Sequence, residues 1–149
     1  MSKVVRTLDL EKIRWINLFK QVCKVEPKFC FSYNSAIVFV LDNRYIGKAI
    51  GPAGRNTKRL SHLLKRNIKI ISLPTNKEAE SIKQFIEQII WPIKSKKILV
   101  EKEGKKIIIF ASSTSKAALT GKNKQKLEKL KEILKDFFKT EELIISRVK

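Results

Sequence analysis

Gly51 and Gly54 bracket Pro52 and Ala53 in a four-residue loop set among cations. Lys48 precedes it, and Arg55, Asn56, Lys58 and Arg59 follow. Glycine admits positive φ angles and close approach of the main chain to a ligand. A helix starting near Arg55 offers unpaired N–H groups and the positive end of its dipole to a phosphate. Such a loop holds an anionic backbone; it makes and breaks no covalent bond. A bare Gly-x-x-Gly is common, so its flanks and a second copy carry the weight. Gly121, Lys122, Asn123 and Lys124, followed by Gln125 and Lys126, lie 70 residues further on, and Leu60 and Leu130 keep the same offset. An internal duplication is the economical explanation.

Catalysis has no comparable constellation. His62 is the single histidine and falls within an amphipathic helix, where a packing or surface role is expected. The 14 carboxylates are mostly interleaved with lysines, and no acid pair, nucleophile elbow, metal signature or Walker loop is present. The chain is therefore read as non-enzymatic, with no cofactor and no metal. Cys23 and Cys30 are too few and wrongly spaced for zinc, and apolar Val22, Phe29 and Phe31 surround them. They are expected as buried free thiols in a reducing compartment.

The 149 residues carry 33 Lys+Arg against 14 Asp+Glu, a formal charge of +19. The excess is shared, net +11 over residues 1–74 and net +8 over 75–149, so both halves face a polyanion or neither does. The alternative is a lysine-rich solvated surface. No stretch approaches 18 uninterrupted apolar residues and no signal-peptide core opens the chain. A soluble cytoplasmic protein with no membrane partner is expected.

The elements that must position the loops repeat in order. Residues 9–23 space Ile13, Ile16, Phe19, Val22 and Cys23 as an amphipathic helix, with Asp9 and Glu11 at its N-terminal end. Residues 29–33 and 36–41 read as a hairpin around Asn34-Ser35. A short helical piece (44–50), the first loop, a helix (55–66) burying Leu60, Leu63 and Leu64, and a strand (68–73) complete the unit. After Pro74-Thr75-Asn76 the same order returns: helix 77–90, stopped by Trp91-Pro92; strands 97–101 and 105–111 about Gly104; a short piece 116–120; the second loop; a long helix bearing Leu127, Leu130, Ile133, Leu134 and Phe137; and strand 143–148. Trp15 and Trp91 are expected in the core or between domains. A unit ending in a hairpin and helix would need chain beyond residue 148, so each unit is expected to close with a strand.

These residues resemble the tandem KH domains of type II (prokaryotic) arrangement, in particular the archaeal NusA-like transcription factors. The likeness runs through residues 8–19, the loop at 49–56 and the second loop at 119–127. It implies an α+β fold of two packed type II KH domains, helix-strand-strand-helix-helix-strand each, at residues 1–74 and 75–149. It further implies a factor of transcription elongation, termination or antitermination that binds single-stranded RNA, with RNA polymerase as a further partner; the chain is expected to be a monomer. By matching position, Lys48, Gly51, Pro52, Ala53, Gly54, Arg55, Asn56, Lys58 and Arg59 form the first RNA site, and Gly121, Lys122, Asn123, Lys124, Gln125 and Lys126 the second. The first loop departs from the family in having Pro52 in place of lysine, which removes a cation and an N–H donor. The second has Lys124 in place of the last glycine, a side chain expected to narrow the approach of the backbone to phosphate. The first loop is accordingly ranked above the second. A ribosome- or RNA-processing-associated KH protein, and a protein-docking adaptor with vestigial grooves, are the competing readings.

Overall fold

In the computed structural model, residues 9–148 are described; the first eight residues and Lys149, the outer ends of the two expected domains, lie outside them. The described chain divides into two compact units, with the boundary between Leu73 and Pro74. Both are mixed α+β units with one element order, giving six α-helices and two three-stranded sheets among the described residues.

The first unit opens with α1 (Leu10–Cys23). The Asp9 carboxylate accepts a hydrogen bond from the Lys12 backbone N–H at 2.8 Å, and Glu11 adds negative charge to the first turn. Both complement the positive helix terminus. Lys24 ends the helix in the left-handed region (φ 59°). Strands β1 (Phe29–Tyr33) and β2 (Ala36–Leu41) form an antiparallel hairpin, and β3 (Asn67–Ser72) adds parallel to β2, which is thus central. α1 lays Trp15, Phe19 and Cys23 over Cys30, Ile37, Phe39 and Leu41, with the Phe19 and Phe39 rings 4.4 Å apart. All six residues of β2 are buried, so this strand is apolar throughout and shows no alternation. Between β2 and β3 lie a 3-10 turn (Asn43–Tyr45), α2 (Ile46–Ile50), the first glycine loop and α3 (Arg55–Leu64).

The second unit repeats this with α4 (Ala79–Ile90), β4 (Lys97–Glu101), β5 (Lys106–Ala111), α5 (Ser113–Thr120), α6 (Gln125–Phe138) and β6 (Glu142–Arg147). β5 is central, antiparallel to β4 and parallel to β6. Here the burial does alternate, with Ile107, Ile109 and Ala111 buried toward the helices. Phe85 of α4 meets Phe137 and Phe138 of α6 edge-on, at 4.7 and 5.8 Å between centroids. The turn at Gly104 is packed beneath them: a Cβ there would stand 3.0 Å from Ile82 Cδ1 and 3.0 Å from Phe138 Cβ. Thr140 Oγ1 donates to the buried Gly104 carbonyl at 2.6 Å.

Several sequence expectations need correction. α3 stops at Leu64, two residues early, because Lys65 turns left-handed at φ 55°. α5 starts at Ser113, three residues early, because the Ser112 hydroxyl caps it by accepting from the Ser115 N–H. Leu63 and Ile13, expected inside, are each 42% exposed, and Trp91 is 64% exposed at the end of α4. Trp15 is buried, and both cysteines are buried free thiols.

Candidate functional site

The two glycine loops share one backbone. Gly51 has φ 77°, ψ 170°, Ala53 φ 55°, ψ 26°, and Gly54 φ 72°, ψ 21°. The second loop gives Gly121 φ 73°, ψ 175°, Asn123 φ 55°, ψ 30°, and Lys124 φ 60°, ψ 21°. The opening glycine of each occupies a region essentially confined to glycine, and the third and fourth residues of each are left-handed. Each loop is closed by the same pair of hydrogen bonds: Gly51 N–H to Gly47 carbonyl (3.0 Å) and Gly54 N–H to Gly51 carbonyl (3.1 Å), against Gly121 to Ala117 (3.0 Å) and Lys124 to Gly121 (3.2 Å).

Lys124 therefore reproduces the conformation of Gly54. A left-handed angle costs a non-glycine residue about 1–2 kcal/mol; the first loop bears this at Ala53 alone, the second at both Asn123 and Lys124. A Cβ on Gly54 would meet no atom within 4 Å. With the same backbone, the Lys124 side chain leaves on the open side of its loop without distorting it.

Neither α3 nor α6 has a side chain capping its N-terminus, so the loops deliver uncapped helix starts. Lys48, Pro52, Ala53, Arg55, Lys58 and Arg59 are exposed, while Gly51, Gly54 and Asn56 are partly covered. Asn56 braces the end of α2 against the start of α3, its amide Nδ2 donating to the Lys48 carbonyl at 3.4 Å. Around the second loop, Lys122, Asn123, Lys124 and Gln125 are exposed, and Gly121 and Lys126 partly covered. Lys126 takes the place of Asn56, its Cγ 2.9 Å from where a Gly121 Cβ would be. Glu128 takes the place of Lys58 and pairs with Lys131 at 3.5 Å, which reduces the positive field at this loop.

Beside each loop lies an edge strand. α2 packs against α3 and β3, and β3 is the edge strand of its sheet, paired with β2. Ile46, Ile68 and Ile70 lie along this border, packed on the core yet partly accessible. In the second unit α5 packs against α6 and edge strand β6, where the matching Leu143 and Ile145 are 5% and 7% exposed. The apolar strip beside the first loop is thus the more accessible.

Sequence reasoning passed over Arg44 and Tyr45. The Arg44 guanidinium is held by both oxygens of Asp42 (3.3 Å each) and sits 5.2 Å from the Tyr45 ring centroid. The Arg44 backbone N–H and then its side chain, both donating to Asp42, hold that carboxyl below its usual range. Tyr45 is 41% exposed immediately before α2. The available signal was an Arg-Tyr pair one short helix ahead of the glycine loop. Arg66, just past the end of α3, donates to Ser32 Oγ at 3.1 Å and covers the Trp15 ring at 5.3 Å. Among the described residues, no group of three or more His, Cys, Asp or Glu could hold a metal ion, and no helix is long and apolar enough to cross a membrane.

Two copies of one α+β unit, each presenting a glycine-led loop at a helix start, define the class of protein. The chain is similar to the "Probable transcription termination protein NusA" of Methanococcus vannielii, 31% identical over 103 residues that span 69% of this chain and 57% of that protein. It is also similar to the protein of the same name from Methanocaldococcus jannaschii, 27% identical over 137 residues, 91% of this chain and 71% of that protein. These relatives support what the motifs led us to expect, an archaeal NusA-like protein. Among solved structures, the crystal structure of APE1850 matches with a TM-score of 0.60 and 25% identity, covering 93% of this chain and 99% of that one. No family model matches the chain.

Proposed function

We propose that the protein is a non-enzymatic, single-stranded-RNA-binding factor of transcription elongation and termination, built of two type II KH domains at residues 1–74 and 75–149. The observation that carries this is the first loop. Glycine-only backbone at Gly51, exposed Lys48, Arg55, Lys58 and Arg59, and a partly accessible apolar strip of Ile46, Ile68 and Ile70 by edge strand β3 stand side by side. Cations and helix N–H groups hold the sugar-phosphate chain of about four nucleotides, and the unpaired bases lie over the apolar strip and address the β3 edge. Duplex RNA cannot do this, because its bases are stacked and paired. Tyr45, with Arg44 against it, offers an aromatic face to one further base. The Gly121–Lys124 loop acts as a second, weaker clamp. RNA polymerase is the protein partner in this reading, by way of the proteins named as termination factors.

Crosslinking in cells with sequencing of the bound RNA tests the reading as a whole. Enrichment of nascent transcripts is expected. Enrichment of ribosomal RNA would favour an assembly role, and no enriched RNA would favour a protein-docking adaptor. In vitro, single-stranded RNA should bind well above duplex RNA, with affinity falling by a log-log slope of about −0.7 per phosphate contacted as salt rises. Equal binding of both forms at physiological salt would reduce the interaction to general polycation attraction.

A further inference from the structure

The sheet of the second unit has an accessible face whose residues form a three-by-three grid. Buried Ile98, Ile107, Ile109, Leu143 and Ile145 point to the helices, so the alternate residues of each strand point the other way. From the strand register, one row is Lys97, Phe110, Ser146; the middle row is Leu99, Ile108, Ile144; the last row is Glu101, Lys106, Glu142. The middle row is apolar across all three strands, with Ile144 38% exposed and Leu99 and Ile108 partly so. In the last row Lys106 lies between two glutamates and pairs with Glu142 at 3.7 Å. One end row thus carries net positive charge, the other net negative, and the face as a whole is neutral on a chain of +19.

We propose that this face docks a second copy of the chain about a two-fold axis running along the middle row. Such an axis sets one copy's first row over the other's last row. Lys97 then faces the second copy's Glu101, twice by symmetry, and Phe110 faces Lys106, a cation over an aromatic ring. Leu99, Ile108 and Ile144 each meet their own counterparts in the centre. Sheets pack face to face in this way with strand directions nearly aligned. A polyanion gains nothing from this neutral face, and charge complementarity here is with itself. The proposal departs from the monomer expected from the sequence and does not depend on the RNA reading.

The face is small, ~200 Å² per copy from strand spacings, against ~800 Å² per partner in stable complexes, so the dimer is weak. Sedimentation equilibrium of the full chain, carried to ~1 mM in ~0.15 M salt where the repulsion of +19 chains is screened, should give a monomer–dimer midpoint between about 0.1 and 1 mM. Lys97→Glu and Glu101→Lys should each weaken dimerisation by about tenfold or more, because each sets like charges opposite one another. The double reversal K97E/E101K restores opposite charges and should return the midpoint to within about threefold of the parent. Unchanged thermal melting of each monomer confirms that the fold is kept. A monomer at every concentration, a dimer indifferent to the single reversals, or a double reversal as weak as the singles would each overturn the proposal.

Discussion

A Cβ placed on Gly51 would stand 2.9 Å from the amide nitrogen of Asn56, the same nitrogen that donates to the Lys48 carbonyl. Gly51 and Asn56 are thus complementary: the missing side chain of one makes room for the amide that ties the loop shut. The loop shape is held from within the protein, ready before any ligand arrives.

Gly51→Ala should therefore be the more damaging of the two loop glycine substitutions. It adds a steric conflict to a backbone region open essentially to glycine alone, and should cost about 2–3 kcal/mol. Gly54→Ala meets no atom within 4 Å and needs only the left-handed angle that Lys124 adopts, so about 1 kcal/mol is expected. Chemical denaturation of both variants checks the order, and equal losses would contradict the role given to Asn56.

Replacing Pro52 and Ala53 together with Asp sets two negative charges at exposed positions facing the proposed phosphate track. The fold should remain, since neither residue is buried. Single-stranded RNA affinity should fall at least tenfold, about 1.4 kcal/mol or more. The matching change at Lys122 and Asn123 should reduce it less, given Glu128 and the more covered strip beside that loop, and should shorten the footprint. An RNA of about eight to ten nucleotides should bind far better than one of about four, because linked clamps act at high effective concentration. Equal binding of the short and long RNAs, or a larger loss at the second loop, would reverse the ranking.

Thr140 is a buried polar residue whose hydroxyl serves the Gly104 carbonyl at 2.6 Å and lies 3.3 Å from the Leu134 carbonyl. Thr140→Val preserves shape and leaves those acceptors without the donor. A loss of about 1–2 kcal/mol is expected from thermal or urea unfolding. Thr140→Ser should retain most of the stability, and if it falls as far as valine the methyl group, not the hydroxyl, is what matters.

Burial pushes the Cys23 thiol up to about 11 and the Cys30 thiol up to about 12, from an ordinary value of 9.0. For Cys30 the nearby Lys12 and Arg66 charges oppose the shift without cancelling it. The folded state thus keeps protons that the unfolded chain releases. The associated stability is complete below pH 9 and is lost as pH rises toward 11–12. Tyr33, pushed up to about 12 from 10.0 by burial, adds to the loss from pH 10 upward. Urea unfolding at pH 8 and pH 10 should show this fall, and Cys30→Ala should make it shallower.

Much of this molecule was legible in the residue order. Apolar spacing marked α1 and α6, β-branched and aromatic runs marked both hairpins to within a residue, and the 70-residue offset showed the repeat. These signals are local: helix and strand periodicity are properties of neighbours along the chain, and glycine marks its loop wherever the chain folds. Tertiary structure alone decided the rest. That Lys124 takes up the backbone of Gly54 depends on the sign of φ at a residue whose type does not require it. That Asn56 turns to Lys48 depends on how the loop between α2 and α3 closes, and that Arg66 turns to Trp15 and Ser32 depends on residues brought together from distant parts of the sequence. Leu63 continues the apolar period of α3 and is nonetheless exposed, because a helix buries only the arc its neighbours cover. Periodicity places a side chain on an arc; the packed neighbours determine whether that arc is covered.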